Sequence, residues 1–430
     1  MKHTTFLILT IVLTCSLTSV AKEGTTLNLD VKQCGAVGDG VADDSVAIQK
    51  ALAGGQRVVI IPPGTYKVSG TLQVESDTTI KTSPKAIIRL ADHAGTNVNV
   101  FLLTNRDSAG GNTNITVEGG IWDGNNEHNP RGRDGDPNGY TGTTINFVNV
   151  RHLVLRNLTV RNPEAFSIRL GEVEDFRVED LRFDHAIIRP NQDGVHVGGF
   201  CRRGVIRNVR ALTKRTTNDD MVALNADDDI KRVINLGMKR GPIRDITVEN
   251  LCADDAYTFV RLLSFKELIE NVTVSNVSGG CRVHAINMDR WRFPAGGGNI
   301  RNVTLRNFTI RKVDSGSNAK WFNEAPLIPI QSVVHGLRIE NFRRAPADDL
   351  PAPTLVIDNG QQNLVHLDGA TGESAVNKLV LPGGGFALLS LDSTDNGNSH
   401  AAESREGAKI IRGSESSKSA TRSSSDKRKE

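Results

Sequence analysis

Aromatic side chains are scarce in this sequence, 5% of its 430 residues, with three Trp and three Tyr. With 38% hydrophobic residues and 41 Gly, that composition suits many tight turns around a slim aliphatic core. Cysteine is sparse too, five residues with no C-x-x-C spacing, which argues against a zinc site. Charge of one sign is also missing. The net charge is +3 with both signs mixed along the chain, and no basic run or aromatic–basic array marks a nucleic-acid footprint. No apolar stretch reaches the roughly 20 residues that a membrane-spanning helix needs. The apolar run Phe6 to Leu13 follows the basic start Met1-Lys2-His3 and precedes the small-residue triplet Ser19-Val20-Ala21. That order predicts an export signal over residues 1–21 and a secreted or periplasmic protein. The remaining Cys34, Cys201, Cys252 and Cys281 allow three disulfide pairings, with buried single thiols as the alternative.

What the sequence does have is a repeat. An alternation of apolar and other residues, closed in most copies by Asn or Asp, recurs eight times between Asn114 and Asn341. Clear copies are Leu153-Val154-Leu155-Arg156-Asn157, Ile246-Thr247-Val248-Glu249-Asn250 and Val303-Thr304-Leu305-Arg306-Asn307. Short alternating strands at a period of this kind mark a solenoid, because no single unit can bury its apolar face without a neighbour. An Asn at the same corner of successive turns stacks on the next and bonds to it, so these residues are assigned to structure. The Asn-x-Thr triplets among them, such as Asn157-Leu158-Thr159, are read as part of the ladder rather than as glycosylation acceptors.

Residues 24–110 form an entry unit. Helical spacing in Val41 to Ala53, introduced by Asp43, Asp44 and Ser45, predicts a short helix that covers the open end of the solenoid. Arg57 to Ile61 is then a strand, and Pro62-Pro63-Gly64-Thr65 a turn. Long insertions fall at Asn125 to Tyr140 and at Lys214 to Gly241. Insertions in solenoids collect on one face, often the binding face. The solenoid is expected to run through 22–395. The Ser-, Lys-, Glu- and Arg-rich stretch 396–430 is expected to be disordered.

Two segments on adjacent turns stand out: Asn191-Gln192-Asp193-Gly194-Val195-His196 and Asn218-Asp219-Asp220-Met221-Val222. Asp193 precedes Asp219 by 26 residues, about one turn, and stacked strands lie roughly 4.8 Å apart. The carboxylates of Asp193, Asp219 and Asp220 should therefore meet. Like charges that close raise one pKa and create a proton donor beside ionised partners, the pair of roles that glycosidic hydrolysis uses. Asp before a strand is also a common turn residue. Strict alternation would turn Asp193 inward with Val195, so a bend at Gly194 is required.

The opening Cys34-Gly35-Ala36-Val37-Gly38-Asp39-Gly40 through Asp44, with Ile61-Pro62-Pro63-Gly64-Thr65-Tyr66, resembles the start of the pectate-lyase-like right-handed β-helix superfamily. Asn191-Gln192-Asp193-Gly194 resembles the Asn-Thr-Asp-Gly motif of the polygalacturonases, glycoside hydrolase family 28. Asn218-Asp219-Asp220 resembles that family's Asp-Asp motif, and Arg261-Leu262-Leu263 falls where its Arg-Ile-Lys motif would lie. The resemblance implies an all-β, single-stranded right-handed parallel β-helix with a short N-terminal capping helix. It also implies an inverting hydrolase of an acidic polysaccharide. Asp219 would be the general acid, and Asp193 with Asp220 would hold the attacking water. Arg261 would clasp a substrate carboxylate, with Asn191, Asn218 and His196 among the substrate-binding residues. Two positions depart from the family: Ala226 to Arg232 replaces its Gly-His-Gly, and Leu263 replaces its Lys. His196 or His284 is then the candidate for the missing imidazole.

No cofactor is expected for a hydrolase, and a monomer is expected. Two alternatives remain. A lyase or epimerase on the same scaffold would bind Ca²⁺ through the oxygens of Asp219, Asp220, Asp227, Asp228 and Asp229, and take its base from Lys214, Arg215 or Arg261. A non-catalytic β-helix would bind glycans, with Trp122, Trp291 and Trp321 available for stacking.

Overall fold

The computed structural model describes residues 27–316, 320–344, 350 and 352–357, together with the backbones of four short strands, Val365–Asp368, Leu379–Leu381, Ala387–Leu389 and Ala402–Ser404. The alternating segments coil into a right-handed parallel β-helix. One 24-stranded sheet carries most of the chain and a 4-stranded sheet the rest. The pairings are parallel, with register shifts between Ala253 and Thr258 and between Asp39 and Asp43, and a core column runs in register from turn to turn at Leu155↔Val178, Val178↔Ile206, Ile206↔Val248 and Val248↔Val274. These side chains form a continuous inward stack with no exposure above 1%. The stack tolerates little variation. Gly204 lies over the Phe176 ring, and an added Cβ would fall 2.0 Å from a ring carbon.

The corner residues behave as the repeat predicts. Asp180, Asn208, Asn250, Asn276, Asn307 and Asn341 all take left-handed backbone conformations, φ between 51° and 60°, a region that Asn and Asp visit most readily among residues with a side chain. Their amides form one run. Asn341 donates to Asn307 at 3.0 Å, Asn307 to Asn276 at 3.0 Å, Asn276 to Asn250 at 3.1 Å, Asn250 to Asn208 at 2.8 Å and Asn208 to Asp180 at 2.8 Å. Asn276→Ala breaks two of these bonds and puts a Cβ where φ is 58°, so unfolding in urea should show a loss of about 1–3 kcal/mol. Asn276→Gly removes the bonds alone and should lose less.

The entry helix is α1, Ser45–Leu52. Ile48, Ala51 and Leu52 close the core at that end, whereas Val46 is 81% exposed. Asp44 precedes α1 but does not cap it through its side chain, and instead accepts from the backbone N–H groups of Val37 and Gly38. The turn after Arg57–Ile61 is narrower than expected, because Gly64 already begins the strand Gly64–Val68.

Strands of one face position the candidate site: β1 (Ile145–Val148), β2 (Ile168–Gly171), β3 (Val195–Val197), β4 (Asp220–Asn225), β5 (Ile243–Leu263) and β6 (Ile269–Asn287). Both long insertions lie over this face, tied by the Arg232–Asp134 ion pair and by Val233 N–H donating to Asp134 at 3.1 Å. Among the described residues, Cys34, Cys201 and Cys252 are free thiols. No helix among the described residues is long and apolar enough to cross a membrane. The expected signal segment 1–21 lies outside the described residues, as does most of 396–430. Within that latter stretch Ala402–Ser404 is a strand paired with Leu379–Leu381, since the unpaired edge of a coil offers backbone partners to any extended segment.

Candidate active site

Asp193, Asp219 and Asp220 each place a carboxylate oxygen within 4.8 Å of the others. Val195 lies opposite Val222, so Asp193 is one rung from Asp220. Both precede or begin a strand, and both turn outward although Val195, Val222 and Leu224 point into the core. Gly194 is needed for space rather than for a left-handed backbone: a Cβ there would lie 2.4 Å from the Met221 carbonyl and 2.5 Å from the Phe183 ring. The trio lies in a cleft of about 320 Å³.

Each carboxylate has a different environment. Asp193 is 3% exposed, and burial pushes its pKa upward against a 2.7 Å hydrogen bond from His196 Nδ1 that favours the ion. Burial pushes Asp220 well above the carboxylate range, the Asp219 charge adds to this, and Arg261, with Nη1 3.9 Å away, opposes it. Asp219 alone of the three is partly exposed. Burial and the Asp193 charge push it up to about 7, although Asn191 Nδ2 donates to its Oδ2 at 3.1 Å. The Asn191 side chain is oriented through its Oδ1, which accepts from Arg131 at 3.1 Å and from Arg232 at 3.2 Å.

His196 lies between two carboxylates, with Nδ1 2.7 Å from Asp193 and Nε2 2.7 Å from Asp228. Phe166 stacks on its ring at 3.9 Å. Burial disfavours the cation, but Asp228 and Asp193 outweigh it and hold the imidazolium up to about 10. A ring that donates from both nitrogens cannot accept a proton, so His196 positions and charges Asp193. His284 is different. Its Nδ1 donates to the Pro326 carbonyl at 2.6 Å, and burial pushes its pKa down to about 4, leaving a neutral imidazole in the cleft lining.

Two expectations need correction. Asn218 does not line the cleft. Its amide donates to the Arg189 carbonyl at 3.0 Å and its oxygen accepts from Arg282 at 2.9 Å, so it braces the turn that carries Asp219. Arg261 does line the cleft, but its Nη2 donates to Asp289 Oδ1 at 2.7 Å, so a protein carboxylate already takes one arm of the fork expected to hold a uronate.

Sequence reasoning missed Asp228 and Asp289. The acidic run resembled a solvated loop or a Ca²⁺ site, yet Asp227 accepts from the N–H groups of Phe265, Lys266 and Glu267 at 2.7–2.8 Å, and Asp228 joins His196 and Asn225. That leaves the run engaged in holding loops. Lys214 and Arg215 are exposed and lie outside the cleft lining. Trp122 is a core residue, whereas Trp291 and Trp321 line the cleft.

Fold and cleft together define a pectate-lyase-like right-handed β-helix protein with an acidic groove. The chain belongs to the family described as rhamnogalacturonase A/epimerase, pectate lyase-like, whose model matches residues 29–338. A probable polygalacturonase of Arabidopsis thaliana is 25% identical over 301 residues, which is 67% of this chain and 59% of that protein. The chain therefore spans less than two thirds of that relative's length. Among solved structures, a family 28 exopolygalacturonase of Yersinia enterocolitica aligns with a TM-score of 0.56 at 16% identity, covering 90% of this chain and 78% of that one. PfbA, a surface adhesin of Streptococcus pneumoniae, aligns with a TM-score of 0.57 at 15% identity, covering 90% and 93%. At these identities the structural likeness concerns the fold.

Proposed function

We propose that this chain is a polygalacturonase-like glycoside hydrolase that cleaves an exported-space polysaccharide of the pectic type as a monomer. The observation that carries the proposal is the trio of carboxylates in one cleft, with Asp219 poised near neutrality. Three carboxylates so close share fewer than three negative charges at neutral pH. His196 favours the ion on Asp193 and Arg261 favours it on Asp220. Among the described residues Asp219 has no cation in hydrogen-bond contact; it is the most accessible of the three and presents the proton. In this mechanism Asp219 protonates the glycosidic oxygen as the bond to the sugar breaks. Asp193 and Asp220 orient a water, and Asp193, favoured as the ion by His196, accepts its proton as it adds to the anomeric carbon. The proton given up by Asp219 leaves with the alcohol and is replaced from solvent.

The rate constant kcat/KM should fall as pH rises through about 7, because the acid form of Asp219 is lost. The stereochemistry is also testable. Oxygens within 4.8 Å are closer than the roughly 6.5–9.5 Å usual for an inverting pair. Family resemblance nevertheless predicts inversion, and NMR of the first product should show the inverted anomer. The broad test is incubation with a panel of plant and algal acidic glycans. New reducing ends without ultraviolet absorption from a new double bond support hydrolysis, and absorption supports the lyase. The lyase has lost candidates for its base: Arg261 is held cationic, since its neighbouring carboxylates outweigh burial, and Lys214 and Arg215 are remote from the lining. The likeness to an adhesin supports a non-catalytic glycan binder as the second reading, and the absence of turnover on the whole panel selects it.

A further inference from the structure

On the outer face of the sheet, His196, Ala223, Arg261 and Asn287 fall in one register column across β3, β4, β5 and β6. Arg261 is thus a fixed part of the cleft floor, one rung beyond the strand that begins at Asp220. Its guanidinium is enclosed by Asp289, Asp220, Asp219 and Asp193, in that order of influence after burial. Asp289 is itself held in place. Its N–H donates to Asn287 Oδ1 at 2.9 Å, and its carbonyl accepts from Ser332 Oγ at 3.3 Å. Its Oδ1 takes the 2.7 Å bond from Arg261, while no hydrogen bond reaches its Oδ2 among the described residues. The side chain is 26% exposed at the cleft.

We propose that Asp289 is a specificity-determining residue that occupies the place on Arg261 which a uronate carboxylate would otherwise take, so that the adjoining subsite admits a glycosyl unit without a carboxylate. This rests on the hydrolase reading of the same cleft. A uronate carboxylate brought to Arg261 would meet a like charge and a guanidinium whose Nη2 is already bonded to Asp289, with three further aspartates close by. A neutral sugar meets no such repulsion, and the second oxygen of Asp289 can accept from its hydroxyls.

The test compares polygalacturonate with the same polymer after reduction of its carboxyl groups to primary alcohols. Binding is measured by calorimetry on Asp219→Asn protein, with and without Asp289→Asn, and turnover is measured on protein with Asp219 intact. The proposal expects the reduced polymer to bind Asp219→Asn protein at least tenfold more tightly than the uronate form. It expects Asp289→Asn, which keeps the shape and removes the charge, to shift that ratio at least tenfold towards the uronate. An unchanged ratio, equal weakening of both polymers, or binding of neither overturns it. If the ratio shifts as stated but no form is turned over, the hydrolase reading fails and the specificity assignment stands.

Discussion

Asp219→Asn should lower kcat on any productive substrate by about 10³-fold or more, equivalent to about 4 kcal/mol of barrier. The same substitution should raise the thermal midpoint at pH 8. The sign follows from linkage. A carboxyl whose pKa is raised in the folded state binds its proton more tightly there than in the unfolded chain. Folding is therefore least favoured above the raised pKa, and stability is recovered as pH falls through about 7 towards the ordinary value of 3.8. An amide removes the cost of the buried charge at alkaline pH, a gain of about 1 kcal/mol or more. Loss of turnover with a higher midpoint separates missing chemistry from a damaged fold, since active sites hold such charges at the expense of stability. Kinetics with calorimetry at pH 5 and pH 8 check both halves. A midpoint that falls at both pH values contradicts the account.

His196→Leu should have the opposite effect on stability. It leaves Asp193 and Asp228 buried without the cation between them, and breaking such a group commonly costs about 3–5 kcal/mol. The imidazolium is raised from 6.5 to about 10. Its contribution is fully present below pH 6.5 and is lost as pH rises through 10. The deficit of the variant relative to the native protein should therefore be large at pH 6 and shrink towards pH 10. Activity should fall as well, because Asp193 would no longer be favoured as an anion. Denaturant unfolding across that pH range is the measurement, and a constant difference would rule out a charged His196.

The solenoid was legible because its cause is local. Alternating apolar residues, most runs closed by an Asn or Asp able to turn through a left-handed corner, dictate stacked coils wherever they recur. The meeting of Asp193 with Asp219 and Asp220 was legible for a related reason, since their spacings of 26 and 27 residues are about one turn, and the register of Val195 against Val222 is 27. Asp289 gave no such signal. It lies 28 residues after Arg261, beyond the end of β6, and only the register of Arg261 against Asn287 brings it to the guanidinium. Asp228 was hidden in an acidic run that looks solvated until the insertion folds back over β3. The placement of Asn218 was misread because neighbours in sequence point to different sides: Asp219 reaches the cleft, whereas Asn218 reaches Arg189 and Arg282.

The decisive measurement is a crystal structure of Asp219→Asn protein soaked with an oligosaccharide from a polymer the native protein cleaves. The account predicts a glycosidic oxygen within hydrogen-bond distance of the residue 219 amide and a water held between Asp193 and Asp220 on the anomeric carbon. A glycan bound along another face of the coil, with the three side chains untouched, would contradict it.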